Sequence, residues 1–137
     1  MVKKNIITAI KDIKADTLSP LTLAFTGDAV FSLYIREMLV CEANRPVGQL
    51  HKLSVNWVKA EAQSKGMHAI LPILTEKELE VFKRGRNAHT SHTPKNQSGC
   101  DYHYATGFEA LLGYLYLKDE TERLNQLLNE VIKAIEV

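Results

Sequence analysis

The stretch LTLAFTGDAVFSLYI, Leu21 to Ile35, is apolar on nearly every side when wound as a helix. Ser19 and Pro20 stand in front of it, an N-cap residue followed by proline at the first helical position. The helix they open is expected to run to about Cys41. A second stretch, YATGFEALLGYLYL from Tyr104 to Leu117, has the same all-round apolar character. A helix apolar on all sides normally lies at the centre of a core, so both are expected there. Gly27 interrupts the first, and Gly107 and Gly113 the second. Interior glycine costs about 1 kcal/mol relative to alanine, and close helix approach is a packing reason to keep it.

The rest of the chain reads as helices around this pair. Ile6, Ile7, Ile10 and Ile13 form a helical stripe over about Asn5 to Lys14. A third stretch starts near Pro46 and continues, with a kink, to about Ala69. Thr75 and Glu78 have capping-box spacing for a helix through about Asn87. HTSHTPKNQSGC, from His89 to Cys100, reads as a loop. Asp101 is placed to cap a helix from Tyr102, and Glu120 to Glu136 forms the last amphipathic one. No segment shows period-2 alternation bounded by hairpin turns. The expected fold class is all-α, one domain over residues 1–137.

Composition narrows the function classes. With 45% hydrophobic and 24% charged residues, the 137-residue chain resembles an ordinary globular domain. No apolar run reaches the roughly 20 residues that a membrane span needs, and the N-terminus lacks the h-region of a secretory signal. Cys41 and Cys100 fall outside any C-x-x-C pattern, so neither a disulfide framework nor a zinc site is expected. A cytoplasmic protein with reduced thiols is the reading. No G-x-S-x-G, phosphate-loop or dinucleotide fingerprint is present.

The chemistry-bearing residues are the acids in the middle of the two apolar helices, Asp28 and Glu109. A buried carboxylate resists ionisation, and two that face each other resist it more. A divalent cation such as Mg²⁺, which takes oxygen ligands and keeps several waters, relieves both penalties. The competing reading is structural: each acid pairs with a base, Arg36 and Lys59 being candidates. Periodicity does not decide between them.

These two segments resemble the ribonuclease III family. AFTGDAVFSLYI is similar to its Leu-Gly-Asp-Ala/Ser signature within an apolar helix, and FEALLGYLYLKD to its Glu-Ala-Leu-Ile-Gly motif. FKRGRNA, Phe82 to Ala88, stands where the family has a glycine flanked by charges. RGRNA, TPKN and FEALLGYLYL further resemble the short bacterial branch, Mini-ribonuclease III. That branch lacks the double-stranded-RNA-binding domain, and none is expected here, since Val137 follows the last helix.

The resemblance implies a ribonuclease III-like helical endonuclease domain that cuts double-stranded RNA, with Asp28 and Glu109 as catalytic metal ligands. It implies Mg²⁺ as cofactor, with Mn²⁺ able to substitute, and 5′-phosphate and 3′-hydroxyl products. It also implies a homodimer with Phe25 at the two-fold interface, and a role in precursor large-subunit (23S) ribosomal RNA maturation. Larger members carry further acids at positions held here by Leu21, Ala24 and Thr106. The metal site expected here is therefore lean, held largely through waters, with Thr106 a candidate to orient one.

No acid occurs between Glu80 and Asp101, where Lys83, Arg84, Arg86 and Lys95 cluster with Asn87 and Asn96. Such residues suit phosphate and 2′-hydroxyl contacts with A-form RNA. Arg84, Arg86, Asn87, Lys95 and Asn96 are the primary RNA-binding candidates, with Arg45, His51, Lys59 and Gln63 a second group. Basic residues also complement a helix C-terminus without binding anything. Two non-enzymatic readings stay open: an RNA-binding module on the same fold, and a helical dimerisation scaffold.

Overall fold

The computed structural model describes residues 14–88 and 99–136. Among them the only regular structure is helical: α1 (Pro20–Glu42), α2 (Val47–Val58), α3 (Ala60–Ile70), α4 (Glu76–Arg86), α5 (Gly99–Leu117) and α6 (Thr121–Glu136). Short 3₁₀ turns, Ala15–Thr17 and Leu71–Ile73, precede α1 and α4. The fold is all-α, as expected. The helix expected over Asn5 to Lys14 lies outside the described residues apart from Lys14, which is not helical.

Local signals place the starts of α1 and α4. Ser19 accepts a hydrogen bond from the Thr22 amide at 3.2 Å, with Pro20 opening α1. Thr75 and Glu78 form the full capping box: the Thr75 hydroxyl accepts from the Glu78 amide, and the Glu78 carboxylate from the Thr75 amide. Two expectations are corrected. Asp101 does not cap a helix, because α5 already begins at Gly99; it lies in the first turn, where its charge suits the helix dipole. The kink in the third stretch is a complete break at Lys59, whose ψ of 153° takes it out of helix and separates α2 from α3.

α5 is the central helix, packed by α1, α4, α3 and α6. It is buried on nearly all sides from Ala105 to Leu115, which explains its all-round apolar sequence. α1 meets it backbone to backbone. A Cβ at Gly27 would overlap the Glu109 carbonyl, and one at Gly113 would overlap the Leu23 carbonyl. Phe31 and Phe108 pack edge to face beside this crossing, ring centres 5.1 Å apart. On the other flank, Gly85 of α4 rests on Gly107 and Ala110. The expectation that α1 is as buried as α5 does not hold. α1 buries Leu23, Phe31, Ile35 and Leu39 on one face and exposes Leu21, Phe25, Leu33 and Val40 on another. Its surplus apolar residues face outward because α1 packs on neighbours along one side only.

α6 is tied to the start of α4 by one ion pair. Arg123 grips both oxygens of buried Glu78 at 2.8 Å, and donates to the Ile73 carbonyl at 2.7 Å. Arg123, helped by the Thr75 amide and hydroxyl, holds the Glu78 carboxyl below its ordinary value of 4.5. Removing one partner of a buried pair strands the other charge. Arg123→Ala is expected to lower stability at neutral pH by about 3 kcal/mol, read by thermal unfolding. A depressed carboxyl pKa stabilises above its ordinary value and less as pH falls through the shifted one. The deficit of the variant should therefore shrink below about pH 4.

Candidate active site

Asp28 and Glu109 come together because their helices cross at Gly27. With Gly27 against the Glu109 backbone, the next residue of α1 sits beside the Glu109 side chain. The two carboxyl groups lie close enough to interact, and the interaction tells on Glu109. Burial, the Asp28 hydrogen bond and the Asp28 charge push its pKa up to about 8, while a hydrogen bond from Gln63 pulls the other way. Neither acid has the full burial expected of both: Glu109 is partly buried, and Asp28 is exposed because it lies on the outward side of α1.

The structural alternative fares less well. Arg36 and Lys59 are exposed, and among the described residues no ion pair engages Asp28 or Glu109. Glu78, by contrast, shows what a paired buried acid looks like in this protein. Thr106 does not hold out its hydroxyl proton to orient a water. It is buried and donates to the Tyr102 carbonyl one turn back, at 3.0 Å. Ala24 is buried too.

Gln63 is the residue that sequence reasoning misplaced. On a solvated helix face it would suit RNA contact, yet it is only 3% exposed. Its Nε2 donates to the Val58 carbonyl at 2.9 Å and to Glu109 Oε2 at 3.3 Å. The break at Lys59 turns it inward, and no motif announces that break.

The other candidates are dispersed. Arg84 and Asn87 are exposed at the C-terminal end of α4. Arg86 lies over the Phe82 ring at 5.6 Å and donates to Asn87 Oδ1 at 3.1 Å. Gly85 seats this turn on Thr106, Gly107 and Ala110, so the basic turn flanks the stretch of α5 that carries Glu109. Lys95 and Asn96 lie outside the described residues. Arg45 is partly buried and bound to the Leu39 carbonyl and the Glu42 carboxylate, while His51 and Lys59 are exposed on or just after α2. Phe25 is 81% exposed, one turn before Asp28 on α1.

Comparison with known proteins agrees with this architecture. The Ribonuclease III domain family model matches residues 21–120, spanning both acids and their crossing. The chain belongs to the ribonuclease III family. It is 52% identical over 120 residues to Mini-ribonuclease 3 of Thermoanaerobacter sp. (strain X514), covering 88% of this chain and 84% of that protein. Mini-ribonuclease 3 of Symbiobacterium thermophilum is 43% identical over 120 residues, covering 88% and 92%. A crystal structure of a Fusobacterium nucleatum protein superposes with a TM-score of 0.80 at 32% identity, covering 88% of this chain and 94% of that one. These relatives bear out both the resemblance to the Mini-ribonuclease III branch and the ribonuclease III-like fold.

Chemically, the pair suits a hard divalent cation. Two acids that meet at one helix crossing offer oxygen ligands, and a negative potential when both are ionised. Among the described residues no group of three or more His, Cys, Asp or Glu side chains is placed to hold a metal. The pair would therefore hold an ion together with its waters. The raised Glu109 pKa fixes a stability signature. As pH rises from about 4.5 to about 8, the unfolded chain releases this proton while the folded chain keeps it, so stability falls. In the absence of divalent ions, Glu109→Gln should melt several degrees above the parent near pH 9, on the same linkage. The difference should fade toward about pH 5.

Proposed function

We propose that this ribonuclease III family member is a divalent-metal-dependent endoribonuclease that hydrolyses double-stranded RNA to 5′-phosphate and 3′-hydroxyl ends. The observation that carries the reading is the Asp28–Glu109 pair, two acids at the helix crossing with no basic partner among the described residues. Asp28 and Glu109 would hold Mg²⁺, or Mn²⁺ in its place. The cation supplies Lewis-acid polarisation of the phosphodiester and lowers the pKa of water for attack. Asp28 is exposed and reachable from the RNA side, whereas Glu109 anchors the site from the core helix. Ion binding and the Glu109 proton are mutually exclusive, so loading the site releases that proton.

Arg84, Arg86, Asn87, Lys95 and Asn96 would contact phosphates and 2′-hydroxyls, with Arg45, His51 and Lys59 extending the surface. The exposed side of α1 supports a homodimer. Phe25, Leu21 and Leu33 present apolar surface beside Asp28, more than a lone helix normally leaves in water. A two-fold axis there would set two acid pairs along one groove, one for each RNA strand. On this reading residues 1–137 form one nuclease domain acting in the cytoplasm on precursor large-subunit (23S) ribosomal RNA. Exposed, unbridged Cys41 and Cys100 fit a reducing compartment.

Long duplex RNA with Mg²⁺ provides the test. The parent should cut it, and Asp28→Asn should fold and bind RNA while kcat drops at least about a hundredfold, since the cation contributes several kcal/mol. Binding without cutting by the parent would mean an RNA-binding module; neither activity would mean a scaffold. Phe25→Asp should sediment as a monomer and lose paired cuts. A stable parent monomer that still makes paired cuts defeats the shared-groove arrangement.

A further inference from the structure

The break between α2 and α3 brings a neutral side chain into the acid pair. α3 restarts at Ala60, and Gln63 reaches back across the break to the Val58 carbonyl, which the extended Lys59 takes out of the helical ladder. The same Nε2 donates to Glu109 Oε2. The Val58 carbonyl can only accept, so it fixes which end of the amide is nitrogen. Oε1 is then left over. It is the one buried side-chain polar atom among the described residues with no hydrogen-bond partner. Its accessible surface is closed, so the amide makes its contacts through Nε2 alone. RNA contact is excluded by burial.

The acid pair suggests what the nitrogen serves. With only Asp28 and Glu109 as carboxylate ligands, most of the coordination of a bound Mg²⁺ would be water, so the orientation of each carboxylate weighs more. Outer-shell partners set the orientation of the ligands they bond and the affinity of the ion. We propose that Gln63 is a positioning residue of the active site, its amide nitrogen anchored on the Val58 carbonyl and holding the Glu109 carboxylate. The inference rests on the proposed metal-dependent function. It assigns a role to a side chain that neither the acid motifs nor the basic patch includes.

Calorimetric titration with Mn²⁺, beside kcat and KM on long duplex RNA, tests it in the full-length protein. The comparison takes the parent, Gln63→Leu, Gln63→Glu and Glu109→Gln. Gln63→Leu should bind Mn²⁺ about tenfold more weakly, the effect typical of an outer-shell partner, and lose kcat with KM for RNA unchanged. Gln63→Glu keeps the length of the side chain but loses the amide donor, and should lose kcat as well. Parent-like Mn²⁺ affinity in folded Gln63→Leu, or a raised KM with unchanged ion affinity, overturns the assignment. Should Gln63→Leu fail to fold, parent-like kcat in Gln63→Glu overturns it instead. If Glu109→Gln also binds Mn²⁺ like the parent, the metal centre itself fails; if it loses the ion while Gln63→Leu does not, only the role of Gln63 fails.

Discussion

The contact on which the site depends is the backbone approach of α1 to α5, Gly27 against the Glu109 carbonyl and Gly113 against that of Leu23. No side chain larger than hydrogen fits at either place, so the two helices approach more closely than ordinary core packing allows. Everything at the site follows from that closeness. It seats Asp28 beside Glu109, and Phe31 on Phe108 locks the crossing from the buried side. On the opposite flank Gly85 and Gly107 repeat the device, bringing the basic end of α4 close to α5.

Closeness has an electrostatic consequence. Two carboxyls at the crossing cannot both ionise cheaply, and burial beside Asp28 pushes the Glu109 pKa up to about 8. The protein solves a similar problem differently at Glu78, where Arg123 supplies a fixed positive charge. On the proposed function the contrast separates a structural acid from a functional one. Arg123 makes Glu78 a permanent clamp between α4 and α6, whereas Glu109 has no fixed cation beside it and would exchange its proton for a bound ion.

Much of this was legible in the residue order. Pro20 after Ser19, the Thr75–Glu78 box and the all-round apolar run of α5 place helix ends and the central helix, because capping and burial are local or periodic properties. The two acids stood out for the same reason, as lone charges in apolar helices, and the motifs around them led to the family. Asp28 reads as buried because an apolar helix looks alike whether its outer face meets core or lies open. Gln63 reads as solvated because its direction depends on a break at Lys59 that carries neither proline nor glycine.

Residue order alone specifies the helices, the family and the identity of the two acids, since these rest on spacing of a few residues along the chain. The folded structure adds that the acids meet at the crossing, that Thr106 donates its hydroxyl proton to its own backbone, and that Gln63 joins the pair. Those facts depend on which atoms meet across 46 or 81 positions of chain, from Gln63 and from Asp28 to Glu109. Such separations are closed by glycine-to-backbone packing, whose partners a linear pattern does not name.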